Sequence, residues 1–176
     1  MAFTFEGMVA EIRTAAKQSD PEGAIYNVLS DALKNMDEMV SATPVAGEDE
    51  VHLFEDDDLS IWHCRFQPHV VMPPHEHRLK VLIAGYSGSE KSVLYTRTEN
   101  GLEEAETVIA HAGQVITLDE NAIHTVIAEG DVPSLAVHVY LGPLMTLKRD
   151  LFNPDTGSAV DFTLENFSAM KRPVTN

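Results

Sequence analysis

The feature that most constrains this fold is a series of seven short apolar runs, separated by turn residues, in the second part of the chain. The runs are rich in β-branched and aromatic side chains, as strands are. They cover residues 59–65, 79–86, 93–98, 106–110, 114–117, 124–128 and 135–140. Asn100-Gly101 lies between two of the runs, and this pair favours a tight hairpin. Seven strands at such even spacing predict an all-β sandwich or small barrel.

Residues 1–44 have a helical pattern instead. The first apolar face consists of Phe5, Met8, Val9, Ile12 and Ala16. A second helix is predicted to begin at Asp20-Pro21, because Asp caps free N–H groups and Pro suits the first helical position. Its apolar stripe consists of Ile25, Val28, Leu29, Leu33 and Met36. We expect this pair of α-helices to pack on the barrel domain, residues 45–176, or on another subunit.

The charge of the chain excludes several classes of partner. The net charge is −16, which argues against nucleic acid and against anionic membrane surfaces. Residues 1–58 hold 14 acidic and 3 basic side chains, whereas residues 59–100 hold 3 acidic and 5 basic ones. The acidity therefore belongs mainly to the helices and the linker, and a small anionic substrate remains compatible with the barrel.

The location of the protein is predicted from its cysteine content and its N-terminus. Cys64 is the one cysteine of the sequence, so an intrachain disulfide is impossible and a reducing, cytoplasmic location is expected. No apolar stretch is long enough to span a membrane, and the first twenty residues lack the basic and then apolar layout of a signal peptide.

Three histidines form the strongest candidate for a functional site. His75 and His77 are two residues apart at the start of a predicted strand, so both imidazoles can lie on the same face. His124 begins a later strand, directly after a turn. Neutral imidazole is a common ligand of first-row metals, and three ligands leave positions for water, substrate or dioxygen. The alternative is that the His-x-His spacing is accidental.

These residues resemble the two motifs of the cupin superfamily. The first motif contains His-x-His followed by a glutamate and a glycine, and His75-Glu76-His77 and Gly88 match it. The second contains a glycine and a histidine, matched by Gly113 and His124 at the expected spacing. The resemblance covers about residues 53–144. It implies a double-stranded β-helix, the jelly-roll-like cupin barrel, with a metal inside it.

The departures from these motifs point to one branch of the superfamily. The glutamate ligand should fall on Val81 or Leu82 and is missing. Its loss resembles the thiol dioxygenases (cysteine dioxygenase and its relatives), which hold ferrous iron with three histidines. The resemblance therefore implies Fe(II) bound by His75, His77 and His124, with Zn, Ni or Mn as alternatives.

A late strand resembles the same branch. Thiol dioxygenases carry Ser-x-His-x-Tyr with the tyrosine hydroxyl facing the metal, and His138 and Tyr140 match that segment. The resemblance implies catalytic roles for both residues, although Ala136 replaces the serine and should weaken the hydrogen-bond relay. The alternative is a core aromatic residue beside a capped or exposed histidine. The cysteine that some animal enzymes cross-link to the tyrosine would fall at Leu82, so no cross-link is expected.

Other polar residues near the motifs were assigned from their strand positions. Arg65 is the candidate for binding a substrate carboxylate through two parallel hydrogen bonds. Arg78 follows His77 directly and should point away from the metal, and Glu76 should be an outward, solvated carboxylate. Cys64 is expected to be a small buried residue. Histidines without ligand spacing, expected on the surface or satisfied in the core, are His52, His63, His69 and His111.

The residues and the resemblance together predict a metal-dependent cupin. The expected function is a three-histidine iron dioxygenase that oxidises a small thiol or related small acid with O2. The alternatives are a cupin enzyme of another reaction type and a non-catalytic cupin that binds a metal or small molecule, because the fold does not determine the reaction. Fold analogy also suggests a homodimer or higher homo-oligomer.

Overall fold

The computed structural model describes residues 3–174 and places four helical elements before the strands. These are α1 (Phe5–Ala15), α2 (Pro21–Ala32), a short 3-10 helix (Leu33–Asn35) and α3 (Met36–Ala42). The second predicted helix is therefore divided, because Asn35, with φ −119° and ψ 37°, leaves the helical region. Asp20 caps α2 as predicted, since its carboxylate accepts a hydrogen bond of 3.1 Å from the Gly23 N–H.

Most of the chain after the helices forms short strands and one further helix. The strands are β1 (Glu50–Glu55), β2 (Ser60–Phe66), β3 (Val70–Val71), β4 (His75–Glu76), β5 (Val81–Ser87), β6 (Ser89–Thr98), β7 (Gly101–His111), β8 (Gln114–Leu118), β9 (Ile123–Ala128), β10 (Ser134–Tyr140), β11 (Asp150–Phe152), β12 (Ala159–Asp161) and β13 (Arg172–Pro173). Helix α4 (Leu164–Ala169) lies between the last two strands. Each of the seven predicted runs overlaps one of these strands.

The strands form two main antiparallel sheets. One has the order β1-β2-β10-β5-β8 and the other the order β12-β11-β4-β9-β6-β7. Strands from the beginning and the end of the barrel lie side by side in both sheets, as the pairs β2–β10 and β4–β9 show. This order is that of a jelly roll. The fold is thus a double-stranded β-helix with N-terminal helices, and the predicted fold class is confirmed.

The helices cover the outer face of the first sheet. Ile12, Ile25 and Leu29 are fully buried in one cluster with sheet residues such as Ile61 and Val139. Beneath the helices, the Tyr86 hydroxyl lies 2.7 Å from Thr43 Oγ1 and 2.5 Å from His63 Nε2. The predicted apolar stripes are therefore packed on the barrel, and the inner face between the two sheets is left for the site. Among residues 3–174, no helix has the length and apolar character needed to span a membrane.

Candidate metal centre

Sheet pairing brings the three predicted ligand histidines together. His75 on β4 lies directly opposite His124 on β9, and His77 follows two residues after His75. One nitrogen of each ring lies within 4.8 Å of the corresponding nitrogens of the other two, and all three side chains are buried. The Nε2 atoms of His77 and His124 are 2.9 Å apart. Three imidazoles therefore converge on one point inside the barrel.

Contacts behind the rings orient two of these histidines. His75 Nδ1 lies 2.9 Å from the Pro73 carbonyl oxygen, to which it can only donate, so the Nε2 lone pair of the neutral ring faces the cluster. His124 Nδ1 lies 3.0 Å from Ser92 Oγ, which can accept in the same way. Second contacts of this kind are typical of metal-bound histidines. Within residues 3–174, the buried His77 Nδ1 has no partner.

The electrostatics of the cluster fit a bound cation. Burial lowers the pKa of His75 to about 3 and the pKa values of His77 and His124 well below their ordinary range. The rings are therefore neutral at pH 7, which is the form that binds metals. Without a metal, the 2.9 Å contact between the Nε2 atoms of His77 and His124 is a hydrogen bond that needs a proton on one of them, and a bound cation would take the place of that proton. The all-nitrogen set suits several first-row metals and does not by itself select one.

The two positions at which the cupin glutamate was expected, 81 and 82, have apolar side chains and apolar surroundings. Val81 and Leu82 are both buried in hydrophobic clusters, and neither lines the cavity at the histidines. Among the described residues, the cluster of possible metal ligands consists of the three histidines alone.

The histidines lie at one side of a cavity of about 560 Å³ between the two sheets. Much of its wall is aromatic, and besides Tyr140 and the histidines the aromatic lining residues are Trp62, Phe66, Phe162 and Phe167. The last two come from the C-terminal segment and lie beside His75, with ring centroids 6.1 and 5.6 Å from its imidazole. A volume of this size accommodates a small organic ligand next to the histidines.

Tyr140 and His138 both lie on the cavity wall. The Tyr140 ring is 4.8 Å from the His77 ring, and its hydroxyl is 3.2 Å from His138 Nδ1. Ala136, at the position of the family's serine, packs in a hydrophobic cluster. His138 Nε2 instead lies 2.9 Å from the carboxylate of Glu90, a buried residue of β6 that the sequence analysis did not select.

Burial and charge act in opposite directions on His138. Burial lowers the pKa of this imidazole, but the nearby Cys64 sulfur and the Glu90 carboxylate raise the pKa by more than burial lowers it. The net pKa of His138 therefore lies well above the ordinary value. We assign the rise to Glu90, because burial raises the pKa of the Cys64 thiol and keeps it neutral at pH 7. Burial likewise raises the pKa of Tyr140, which therefore retains its proton.

The structure does not bring Arg65 to the cavity. Trp62, Cys64 and Phe66 of β2 line the cavity, and alternate residues of a strand point to opposite faces. The Arg65 guanidinium instead contacts the Pro44 carbonyl and lies 3.8 Å from an Asp49 carboxylate oxygen, towards the helices. Its assignment as a substrate-binding residue of this site is therefore withdrawn.

Arg149, which was not selected from the sequence, is the arginine on the cavity wall. Its guanidinium lies 3.3 Å from the Phe162 ring centroid, and Nη1 donates to the Glu76 carbonyl at 3.3 Å. It belongs to none of the ion pairs within residues 3–174. Burial lowers the pKa of Arg149 to about 10, so the group is still charged at pH 7. A charged, unpaired guanidinium in a cavity is a site for an anionic ligand.

Glu76 was expected to be solvated, and this expectation is wrong. Its side chain is buried, and its Oε1 accepts hydrogen bonds from Arg78 Nε at 2.5 Å and from the Asp150 N–H at 3.0 Å. It does point away from the metal ligands, as alternation requires. The reason for its burial is β11, a strand that the sequence did not predict and that pairs with β4 through Leu151 and His75.

The remaining histidines and the cysteine differ in their surroundings. His63 is buried against Tyr86, whereas His69 and His111 are exposed. His52 is exposed, its ring is tilted by 57° against that of Trp62 at a centroid distance of 4.9 Å, and it lines the cavity. Cys64 is buried, as predicted, and also contributes to the cavity wall.

Comparison with known proteins gave similarity at the level of structures alone. No protein-family model matches the sequence, and no curated protein matches it at a significant level. A conserved protein with a double-stranded β-helix domain from Klebsiella pneumoniae is 15% identical, covers 62% of this chain and 83% of its own, and has a TM-score of 0.46.

Two further structures are similar to a comparable degree. A Bacillus halodurans protein is 15% identical over 65% of this chain and 78% of its own, with a TM-score of 0.48. Hydroquinone 1,2-dioxygenase from a Sphingomonas species is 13% identical over 62% of this chain and 74% of its own, with a TM-score of 0.45. Similarity this low carries no inference about activity, and the fold assignment rests on the strand order described above.

Proposed function

We propose that this protein is a metal-dependent oxygenase in which His75, His77 and His124 hold ferrous iron and the adjacent cavity binds a small thiol or related small acid. The observation that carries the proposal is the convergence of three neutral, buried imidazoles at the wall of a cavity between the two sheets. Ferrous iron in such a site supplies positions at which a thiolate and dioxygen can meet.

The chain's own residues account for substrate binding and orientation. The Arg149 guanidinium offers two parallel donors to a substrate carboxylate. The guanidinium itself packs on the Phe162 ring, whose centroid is 3.3 Å away. Holding the substrate at this point and beside the histidines converts an encounter of separate molecules into an ordered one. The Tyr140 hydroxyl, next to His77, is available to hydrogen-bond the reacting group. The aromatic side chains of the wall give the reacting group a largely apolar surrounding.

Oxygen uptake by the iron-loaded protein tests the proposed reaction. A panel of small thiols, with and without a carboxylate, is offered to the protein loaded with Fe(II) or with Zn(II), which has no redox chemistry. We expect thiol-dependent oxygen uptake by the iron form, a sulfinic acid product and no uptake by the zinc form. Absence of uptake with every thiol would contradict the thiol version of the proposal.

The histidine assignment has a matched control in the same chain. His124→Ala should abolish oxygen uptake, because it removes one of three ligands. His111→Ala replaces an exposed histidine whose ring is hydrogen-bonded to Ser89 and should leave uptake unchanged. Equal activity of the two variants would place the reaction elsewhere.

A second candidate function is supported by the size and character of the cavity. The cavity has a volume of about 560 Å³, which is more than a small thiol fills, and much of its wall is aromatic. A cupin enzyme that acts on a larger, flat organic acid uses the same histidines and Arg149. Adding aromatic carboxylic acids to the oxygen-uptake panel distinguishes the two substrates, and native zinc, nickel or manganese would favour a different reaction type.

A further inference from the structure

Glu90 is a buried carboxylate that the assignment of the metal site leaves unexplained. It lies on β6 two residues before Ser92, so both side chains point to the interior of the barrel. Ser92 contacts the ligand His124 at 3.0 Å, and Glu90 contacts His138 at 2.9 Å. Strand β6 thus contacts both a metal ligand, His124, and His138.

The Glu90 carboxylate requires a positive partner. Its side chain is 1% exposed, and an ionised carboxylate is costly to bury unless it is paired. Within residues 3–174, Oε1 has no hydrogen-bond partner, and the ion pair with His138 is the one that Glu90 makes. The pair is balanced when His138 carries the positive charge, so that its Nε2–H donates to Oε2.

A charged His138 fixes the direction of the next hydrogen bond. Both ring nitrogens of an imidazolium are donors, so Nδ1–H donates to the Tyr140 hydroxyl oxygen across the 3.2 Å contact. The Tyr140 proton is then directed elsewhere, and the Tyr140 ring lies 4.8 Å from His77. A neutral His138 with its proton on Nε2 would instead accept the Tyr140 proton at Nδ1.

We propose that Glu90 is a positioning residue that holds His138 as the imidazolium, so that Nδ1–H donates to Tyr140 and the Tyr140 proton points into the three-histidine cavity. The proposal extends the proposed function, because it assigns the donor that a substrate at the metal would meet. Glu90 does not line the cavity, and it acts on Tyr140 through His138.

Several other titratable groups surround this chain of contacts. The Cys64 thiol on β2 neighbours His138, and burial raises the pKa of this thiol, so it stays neutral at pH 7. Glu50 and Arg149 lie on the same cavity wall and carry opposite charges when both are ionised. The raised pKa of His138 agrees with the charge that the Glu90 contact requires.

The protonation state of His138 can be measured directly by nitrogen NMR of the histidine-labelled, metal-free full-length protein. At pH 7 we expect both His138 nitrogens to be protonated in the wild type, and one of them in Glu90→Gln, which removes the negative charge at nearly constant volume. A single protonated nitrogen in the wild type, or two in Glu90→Gln, would overturn the proposal. This readout does not depend on the metal or on activity, so it stands or falls separately from the proposed function.

Matched variants separate positioning from folding. Ser134→Ala removes another buried polar atom that has no partner among residues 3–174, on the same strand face as His138, and should leave both His138 nitrogens protonated. Glu90→Asp keeps the charge and should restore the imidazolium signal. If oxygen uptake is found, Glu90→Gln should lower kcat at least tenfold with little change in KM and should alter the pH profile. An unchanged kcat with the His138 charge lost would contradict the positioning role.

Discussion

Arg149 is the residue whose position says most about the ligand. It is charged, partly enclosed and unpaired among residues 3–174, and it faces the same cavity as the three histidines. Arg65, the arginine selected from the sequence, lies on the opposite face of its strand and bonds to Pro44. The two residues therefore form a matched pair for testing where an anionic ligand binds.

Arg149→Met should weaken the binding of carboxylate ligands by roughly 10- to 100-fold, since a hydrogen bond to a charged group contributes about 1.5–3 kcal/mol. Calorimetric titration with a small thiol acid and with its uncharged amide measures this effect. Arg65→Met should leave the affinity unchanged, and the amide should not distinguish the wild type from Arg149→Met. Equal losses in both arginine variants would show that Arg149 is not the anion site.

His63 makes the metal-free protein sensitive to acid. Burial lowers the pKa of His63 to about 4, below its ordinary value of about 6.5 in the unfolded chain. The unfolded state therefore binds the proton first, and stability falls as the pH decreases from about 6.5 to about 4. Below that range the loss is complete.

Urea unfolding of the wild type and of His63→Gln at pH 7 and pH 4.5 measures this contribution. The stability difference between the two pH values should be smaller in His63→Gln by on the order of 2 kcal/mol, because glutamine does not titrate. The buried ligand histidines titrate in both proteins and cancel in the comparison. An identical pH dependence of the two proteins would contradict the assignment.

At the scale of the elements, the strand that carries His75 depends on a carboxylate behind it. β4 has two residues, and Glu76 fastens it to β11 through the Asp150 N–H and to Arg78. Glu76→Gln should lower stability by about 1–3 kcal/mol and metal affinity by roughly 10- to 100-fold, as the loss of contacts behind a ligand does.

Asp155→Asn is the matched control for Glu76→Gln. It breaks an exposed ion pair with Arg172, which should cost less than about 1 kcal/mol and leave the metal affinity unchanged. Thermal unfolding and competition with a metal chelator measure both variants. If Asp155→Asn weakens metal binding as much as Glu76→Gln does, the support from Glu76 is not specific.

Alternation and turn signals were sufficient to predict the longer strands except β1 (Glu50–Glu55), but not the short ones. β4, β11 and β12 have two or three residues each, too few for a period to be recognised. Arg149 reaches the cavity because Leu151 pairs with His75, so missing β11 meant missing Arg149. Glu90 lies in the polar first part of β6, and its contact with His138 depends on how the two sheets face each other, which one sequence does not specify.

The site histidines were predictable because their signal is local or matches a known spacing. His75 and His77 are two residues apart and His124 has the expected distance along the chain, although β4 ends at Glu76 and the predicted run 79–86 became β5 of the other sheet. His138 and Tyr140 are also two residues apart, and both reach the cavity. Glu76 was assigned correctly to the opposite face but wrongly to solvent, because burial on that face depends on β11 and on two arginines from distant positions.

At the scale of the whole molecule, the N-terminal helices and the barrel form one core. Leu29 is fully buried in a cluster that contains residues of both parts. Leu29→Ala should lower the free energy of unfolding by about 2–5 kcal/mol and keep a single transition by circular dichroism and Trp62 fluorescence. Leu164→Ala, at a side chain that is 78% exposed, should change stability by less than about 0.5 kcal/mol. Separate transitions for helices and barrel would contradict a shared core.

The most direct test of the central claim is the metal content of the purified full-length protein and of its histidine variants, measured by elemental analysis after reconstitution and removal of free metal. The account predicts about one metal ion per chain in the wild type and in His111→Ala, and loss of that ion in His75→Ala and His124→Ala, with all four proteins folded by circular dichroism. A His124→Ala protein that retains its metal at the wild-type level would contradict the three-histidine centre.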